Sequence, residues 1–173
     1  MKSNIQYIDV FAGAGGLSEG FKRTGKYKPI AHVEMNKHAC DTLKTRLAYY
    51  YLRENNSIES YYKYLKKEIS RDELWTLIPD AILESVINAE LSDDNILEVF
   101  AQIDDLVSLS KTKRVDLVIG GPPCQAYSIM GRSVSLTGMK DDPRNYLYKL
   151  YVKFITRYSP KMFIFENVPG ILT

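Results

Sequence analysis

Two hydrophobic periods alternate along the chain. Short runs rich in β-branched and aromatic residues read as buried strands: Tyr7–Phe11, Pro29–Glu34, Ser85–Leu91, Val115–Ile119 and Lys161–Glu166. Between them, apolar residues recur at three- and four-residue spacing, the signature of helices packed on a sheet. Asn36 is placed to cap one helix, in which Cys40, Leu43, Leu47 and Tyr50 share a face. Ser92 is placed to cap another, with Ile96, Val99, Phe100, Ile103, Leu106 and Val107 on its apolar side. A third begins near Asn145 and carries Leu147, Leu150, Tyr151, Phe154 and Tyr158. Strand and helix in alternation predict an α/β fold, a doubly wound and mostly parallel sheet forming one domain over 1–173.

One stretch breaks this rhythm. From about 49 to 84 the chain is helical, aromatic and charged, and reads as an inserted helical elaboration. Ser57 is expected to cap a segment with Ile58, Tyr61, Leu65 and Ile69 on one face, and Ser70 with Glu73 forms a capping-box pattern. The run Tyr61, Tyr62, Lys63, Tyr64, Lys66, Lys67 suggests a nucleic-acid surface. An amphipathic helix whose lysines reach past an apolar face is the better reading.

Composition narrows the classes little. The 173 residues are 45% hydrophobic and 25% charged, as in ordinary globular proteins. A net charge of +2 neither demands nor excludes a nucleic-acid partner, so any basic surface is local. Two cysteines make no disulfide framework, and Cys40 falls on a helix's apolar stripe, where it packs. No signal peptide or membrane span is read, so a cytoplasmic, reducing setting is expected, nucleoid-associated if the source is prokaryotic, with no membrane partner.

The chemistry-bearing residues gather where strands end. FAGAGGLSEG (11–20) turns from the first strand into a helix, and its glycines permit close backbone approach to a ligand. Glu34 ends the next strand, the place from which a carboxylate accepts hydrogen bonds from ribose hydroxyls. The third glycine of a dinucleotide fingerprint is replaced by Ser18. A single nucleoside with an amino-acid tail therefore fits better than NAD, and S-adenosyl-L-methionine is the candidate. The second loop is GGPPCQAYS (120–128), where two prolines stiffen the mounting of Cys124. FENVPG (165–170) is the third, with Glu166 at the end of the neighbouring strand.

FAGAGG, GGPPCQ and ENV in this order resemble the signature motifs of the DNA (cytosine-5)-methyltransferases. The resemblance covers Ile8 through Gly170 apart from the helical segment. It implies the Rossmann-like fold of S-adenosylmethionine-dependent methyltransferases, here truncated and carrying a helical insertion. It also implies Cys124 as the nucleophile that adds to carbon 6 of a flipped-out cytosine in double-stranded DNA. Glu166 would hold N3 and the exocyclic amine as a protonated acid, its pKa raised by burial. Asn167 would fix its loop by hydrogen bonding, while Gln125 and Ser128 would contact the DNA side of the site. The segment from Ile129 to Arg144 looks like the family's closing loop. For the cofactor the resemblance implies Phe11 against the adenine and the backbone of Ala12, Gly13, Ala14, Gly15, Gly16 and Leu17 around the methionine. Glu34 would hold the ribose, Met35 would stack on the purine, and Pro122 and Leu147 would complete the pocket. The adenine amino group requires an acid near the third strand's end. Glu90, which ends a β-type run, is preferred over Asp104–Asp105, which fall on a helix's polar side. No metal is implied.

After ENVPG the pattern stops. The later arginine motif, the target-recognition region and the C-terminal helix of the family are missing, and the KMFIFE strand is left as an uncovered edge. The expectation is therefore the cofactor and cysteine portion of a DNA cytosine-5 methyltransferase, inactive alone, with a complementary C-terminal subunit as its candidate partner. Restriction–modification is the family's commonest context. The alternatives are a non-catalytic cofactor-binding fragment and a transfer-RNA cytosine-5 methyltransferase relative.

Overall fold

The computed structural model describes residues 5–110, 112–122 and 146–168. Five strands form one sheet: β1 (Ile5–Val10), β2 (Tyr27–Glu34), β3 (Val86–Asn88), β4 (Leu117–Gly120) and β5 (Met162–Phe165). All pair in parallel, in the order β3-β2-β1-β4-β5. Every connection must therefore cross back over a face of the sheet, and helices supply the crossings. These are α1 (Gly16–Arg23), α2 (Lys37–Glu54), α3 (Glu59–Leu65), α4 (Arg71–Thr76), α5 (Asp80–Leu83), α6 (Ile96–Leu109) and α7 (Leu147–Tyr158). The strand order reverses between β1 and β4, the crevice where such sheets bind ligands. The alternation of periods thus reports a Rossmann-like α/β fold.

Burial on both faces explains the near-continuous apolar strands. Ile8, Val10, Ala31, Val33, Ile87 and Val118 pack against α6 and α7 through Val99, Phe100, Ile103, Leu150, Tyr151 and Phe154. On the other face Tyr7, Leu117 and Ile119 meet Leu17 and Phe21 of α1. Cys40, Leu43 and Leu47 of α2 close over Ala12 and Val86. Pro29 lacks an N–H, and the β1–β2 register slips beside it, between Tyr7 and Ile8.

Several local expectations change. Asn36 does cap α2, accepting from the Ala39 N–H at 3.1 Å, and Ser70 with Glu73 closes a capping box on α4. Ser92 caps nothing. Asn95 occupies the position before α6, and its side chain accepts from the Ser92 N–H and donates to the Glu90 carbonyl, holding the preceding loop non-helical. The third strand is three residues long rather than seven, because its pairing with β2 ends at Asn88. Ser57 is not a cap either. Ile58 precedes α3, and the expected stripe spans a turn, since α3 ends at Leu65, itself exposed, while Ile69 packs with α4. Tyr61 and Tyr64 lean on the cluster of Ala48, Leu52, Leu74 and Ile78, and Lys66 and Lys67 are exposed, as a packing helix requires. The third long helix starts at Leu147.

Candidate active site

Parallel strands put the glycine loop, the end of β2, the GGPP turn and the Glu166 loop on one edge of the sheet. The glycine loop is built by positive backbone angles at Phe11 (φ 60°), Gly13 (φ 53°) and Gly15 (φ 81°). Only glycine adopts the last without cost and also fits the space, because a methyl there would stand 2.6 Å from the Leu43 Cδ2 of α2. Ala12 is buried, its N–H donating to the Val33 carbonyl at 3.1 Å; Ala14 and Gly16 are exposed. Leu17 turns inward to Tyr7 and Ile119, and Phe11 is half-buried against the central core.

Glu34 ties this loop to β2. Its Oε2 accepts from the Gly13 N–H and its Oε1 from the Asn36 N–H, each at 2.8 Å. A carboxylate oxygen has a second lone pair, so both remain able to accept from a vicinal diol. Beside it Met35 is 58% exposed, an apolar surface held open by Asn88, whose amide donates to the Glu34 and Met35 carbonyls. These features fit the nucleoside end of the proposed cofactor. Cys40 lies behind them, 2% exposed, its thiol donating to the Glu34 carbonyl and its pKa raised by burial. It packs with Leu43 and Leu47.

On the other side of β1 the second and third loops interlock. The Glu166 N–H donates to the Gly120 carbonyl at 2.8 Å, extending the β4–β5 ladder into the loops. A methyl on Gly121 would stand 2.6 Å from Glu166 Oε2, so the glycine makes the cradle in which this carboxyl lies. Asn167 donates through Nδ2 to the carbonyl of buried Pro122 at 3.3 Å and accepts the Val168 N–H at 2.8 Å, joining the two loops. Glu166 itself is exposed, which corrects the expectation of a buried carboxyl: β5 is the last strand of the described sheet, and nothing described covers its end. Leu147 is half-buried at the start of α7. Cys124, Gln125, Ser128 and the 129–144 segment lie outside the described residues.

Of the adenine-contact candidates, Glu90 lies two residues beyond β3, on the loop and exposed, rather than ending a strand. Asp104 pairs with Arg157 of α7, and the course of α6 back across the sheet carries it and Asp105 away from the loop edge.

A buried polar cluster beneath the glycine loop escaped the sequence reading. Asp9 and His32 are register partners on β1 and β2, 1% and 2% exposed. Ser18, on the first turn of α1, shares a 2.6 Å hydrogen bond with the Tyr7 hydroxyl and lies 2.9 Å from His32 Nε2. Polar residues inside apolar strands, YIDVF and PIAHVE, were the available signal. Burial pushes the Asp9 carboxyl up to about 7, helped by Glu34 and opposed by the Ser18 hydroxyl. Burial, with Lys22 nearby, pushes His32 down to about 4. At neutral pH the histidine is therefore uncharged.

This pair has opposing effects on stability. Native Asp9 holds a proton that the unfolded chain has lost, so its contribution falls as pH rises from about 4 to about 7. Native His32 refuses a proton that the unfolded chain accepts, so its contribution falls as pH drops from about 6.5 to about 4. Asp9→Asn leaves the second slope unopposed. Urea denaturation at pH 6.5 and 4.5 is expected to show an added loss on acidification on the order of 2 kcal/mol relative to wild type. Identical pH dependence in the two proteins contradicts the pairing.

Comparison with known proteins agrees with this architecture. The profile of the C-5 cytosine-specific DNA methylases matches residues 5–74 and 90–173. The chain is 40% identical over 183 aligned positions to the type II methyltransferase M.Bpa9945I of Bacillus paralicheniformis, covering 96% of this chain and 41% of the relative. With the type II methyltransferase M1.HphI of Haemophilus parahaemolyticus it shares 32% identity, covering 98% and 34%. With the DNA (cytosine-5-)-methyltransferase M.ApeKI of Aeropyrum pernix it shares 28%, covering 99% and 30%. The chain thus spans about two fifths or less of the length of these relatives.

Proposed function

Because the chain belongs to the C-5 cytosine-specific DNA methylase family, we propose that it carries the cofactor-binding and nucleophile portion of an enzyme that methylates carbon 5 of cytosine in double-stranded DNA. The donor is S-adenosyl-L-methionine, whose sulfonium supplies an electrophilic methyl group when bound. The observation that supports this best is the interlock of the GGPP and ENV loops beside the glycine loop, with the Glu166 carboxyl resting on Gly121.

Carbon 5 of cytosine is a weak nucleophile until something adds to carbon 6. The Cys124 thiolate fills that role. Cys124 follows Pro122 by two residues in sequence. Glu166 holds N3 and the exocyclic amine of the extruded base and gives N3 a proton as charge develops there. It is exposed among the described residues, so its cover is assigned to bound DNA or to the region that the longer relatives carry beyond the matched part. Asn167 holds the carboxyl's loop against Pro122. Around the cofactor, Glu34 orients the ribose, Met35 and Phe11 flank the purine, and the 12–17 backbone encloses the methionine moiety. Glu90 receives the adenine amine, and Pro122 and Leu147 wall the pocket. Gln125 and Ser128 face the DNA. No described helix is long and apolar enough to cross a membrane.

Methyl transfer is proposed to need the region that the longer relatives carry beyond the matched part, supplied by the same chain or by a complementary subunit. The test incubates the protein with labelled S-adenosylmethionine and duplex DNA, alone and mixed with the C-terminal region of the Bacillus paralicheniformis relative. Digested DNA is then analysed for 5-methylcytosine. Transfer only in the mixture is expected. Transfer by the chain alone refutes the dependence, and methylated transfer RNA in place of DNA refutes the substrate. Gly121→Ala in the same assay is expected to lower turnover about tenfold or more while shifting Tm by less than about 2 °C. The added methyl displaces a flexible carboxyl rather than the backbone, so unchanged turnover contradicts the role given to Glu166.

A further inference from the structure

The Ser18 hydroxyl is the hub of the buried cluster. Ser18 is 5% exposed and sits where a dinucleotide fold has its third glycine, the residue that lets helix and strand approach closely. Here the contact is polar. Tyr7 reaches it from β1, through the hydroxyl at 2.6 Å and the Ser18 carbonyl at 3.3 Å, and His32 reaches it from β2 at 2.9 Å. His32 Nδ1 is buried without a partner, so the ring proton belongs on Nε2, where it has an acceptor. Ser18 Oγ then accepts from His32 and shares a hydrogen bond with the Tyr7 hydroxyl, which also donates to the Ser18 carbonyl. One side chain on the first turn of α1 thereby joins the two central strands directly below Gly15 and Gly16. No other hydrogen bond between described side chains ties that first turn to the sheet.

We propose that Ser18 is a positioning residue for the cofactor: the Tyr7–Ser18–His32 bonds hold the first turn of α1, and with it the glycine-loop N–H groups, at the place where the methionine moiety binds. The inference rests on the cofactor reading above. Ser18 does not touch the cofactor. It acts by fixing the angle at which α1 leaves β1, together with the apolar contacts of Leu17 and Phe21. Removing the hydroxyl leaves His32 Nε2 buried without its partner and Tyr7 with the Ser18 carbonyl alone, and the cheapest relief is a rotation or retreat of the first turn, which moves the loop with it.

The test is calorimetric titration of S-adenosylmethionine into the full 173-residue chain at 10 °C, for wild type, Ser18→Ala, Ser18→Thr and Tyr7→Phe, with Tm measured in parallel. Ser18→Ala is expected to raise Kd about tenfold at a temperature where it is fully folded, and Ser18→Thr, which keeps the hydroxyl, to restore most of the affinity. Tyr7→Phe is expected to raise Kd severalfold, and decides the matter if Ser18→Ala does not fold. A fall in Tm with Kd unchanged in the folded variants makes Ser18 a packing residue only and overturns the proposal. No binding by wild type overturns the cofactor reading itself, and this inference with it.

Discussion

Replacing Cys124 with alanine is expected to abolish methyl transfer and to leave cofactor affinity unchanged. The thiolate is the one group in the proposed site that can form a covalent bond to carbon 6, and without it carbon 5 has no activated form to attack the methyl donor. A loss of roughly three orders of magnitude or more is expected in the complemented enzyme, measured as 5-methylcytosine formed. Among the described residues, the contacts of the glycine loop, Glu34 and Met35 run to β2, α2 and Asn88. Calorimetric Kd for S-adenosylmethionine should therefore stay within about twofold. Retained turnover in Cys124→Ala removes the covalent route, whereas a joint loss of turnover and cofactor affinity shows that the two loops are not separable as described.

Gly15→Val should damage both the stability and the cofactor binding of the glycine loop. The residue precedes α1 with φ 81°, which a β-branched side chain adopts only with strain. Its first side-chain carbon would also fall 2.6 Å from Leu43 Cδ2, and Leu43 is 2% exposed in the cluster with Cys40 and Leu47. Strain and overpacking together cost about 3 kcal/mol, a fall of roughly 10 °C in Tm for a domain of this size. The same displacement moves the Gly13–Glu34 hydrogen bond, so binding of S-adenosylmethionine should be lost even where the variant is folded. A folded Gly15→Val with wild-type Kd contradicts the assignment of this loop to the cofactor.

The architecture was readable because parallel strands buried on both faces leave a hydrophobic run that few other elements imitate. Ile8, Val10, Val33 and Val118 are such positions, and their loops fall on one edge by topology alone. What pattern reading missed was local competition for hydrogen bonds. Ser92 and Asn95 both suit an N-cap, and only the three-dimensional path lets Asn95 reach the Glu90 carbonyl and win. β3 was overextended because Ala89 and Leu91 are apolar, yet β2 offers pairing only as far as Glu34, opposite Asn88. In the site, Glu34 was found from its place at a strand end, but its bonds to Gly13 and Asn36 depend on distances no spacing reveals. The Tyr7–Ser18–His32 hub joins three segments far apart in sequence, and each of its members is unremarkable alone. Among the described residues Glu166 is exposed at the end of β5, the last strand of the described sheet, a property of the assembly of strands rather than of the KMFIFE segment.

Mass analysis of the complex trapped on DNA containing 5-fluorocytosine tests the joint placement of thiol, carboxyl and methyl donor most directly. Fluorine at carbon 5 blocks release after transfer, so the base stays bonded to whichever residue attacked it. In the presence of S-adenosylmethionine and the complementing region, the account predicts a stable protein–DNA adduct that maps to the peptide containing Cys124, carries one added methyl, and is lost in Glu166→Ala. An adduct on another residue, or none at all while 5-methylcytosine still forms in ordinary DNA, would contradict it.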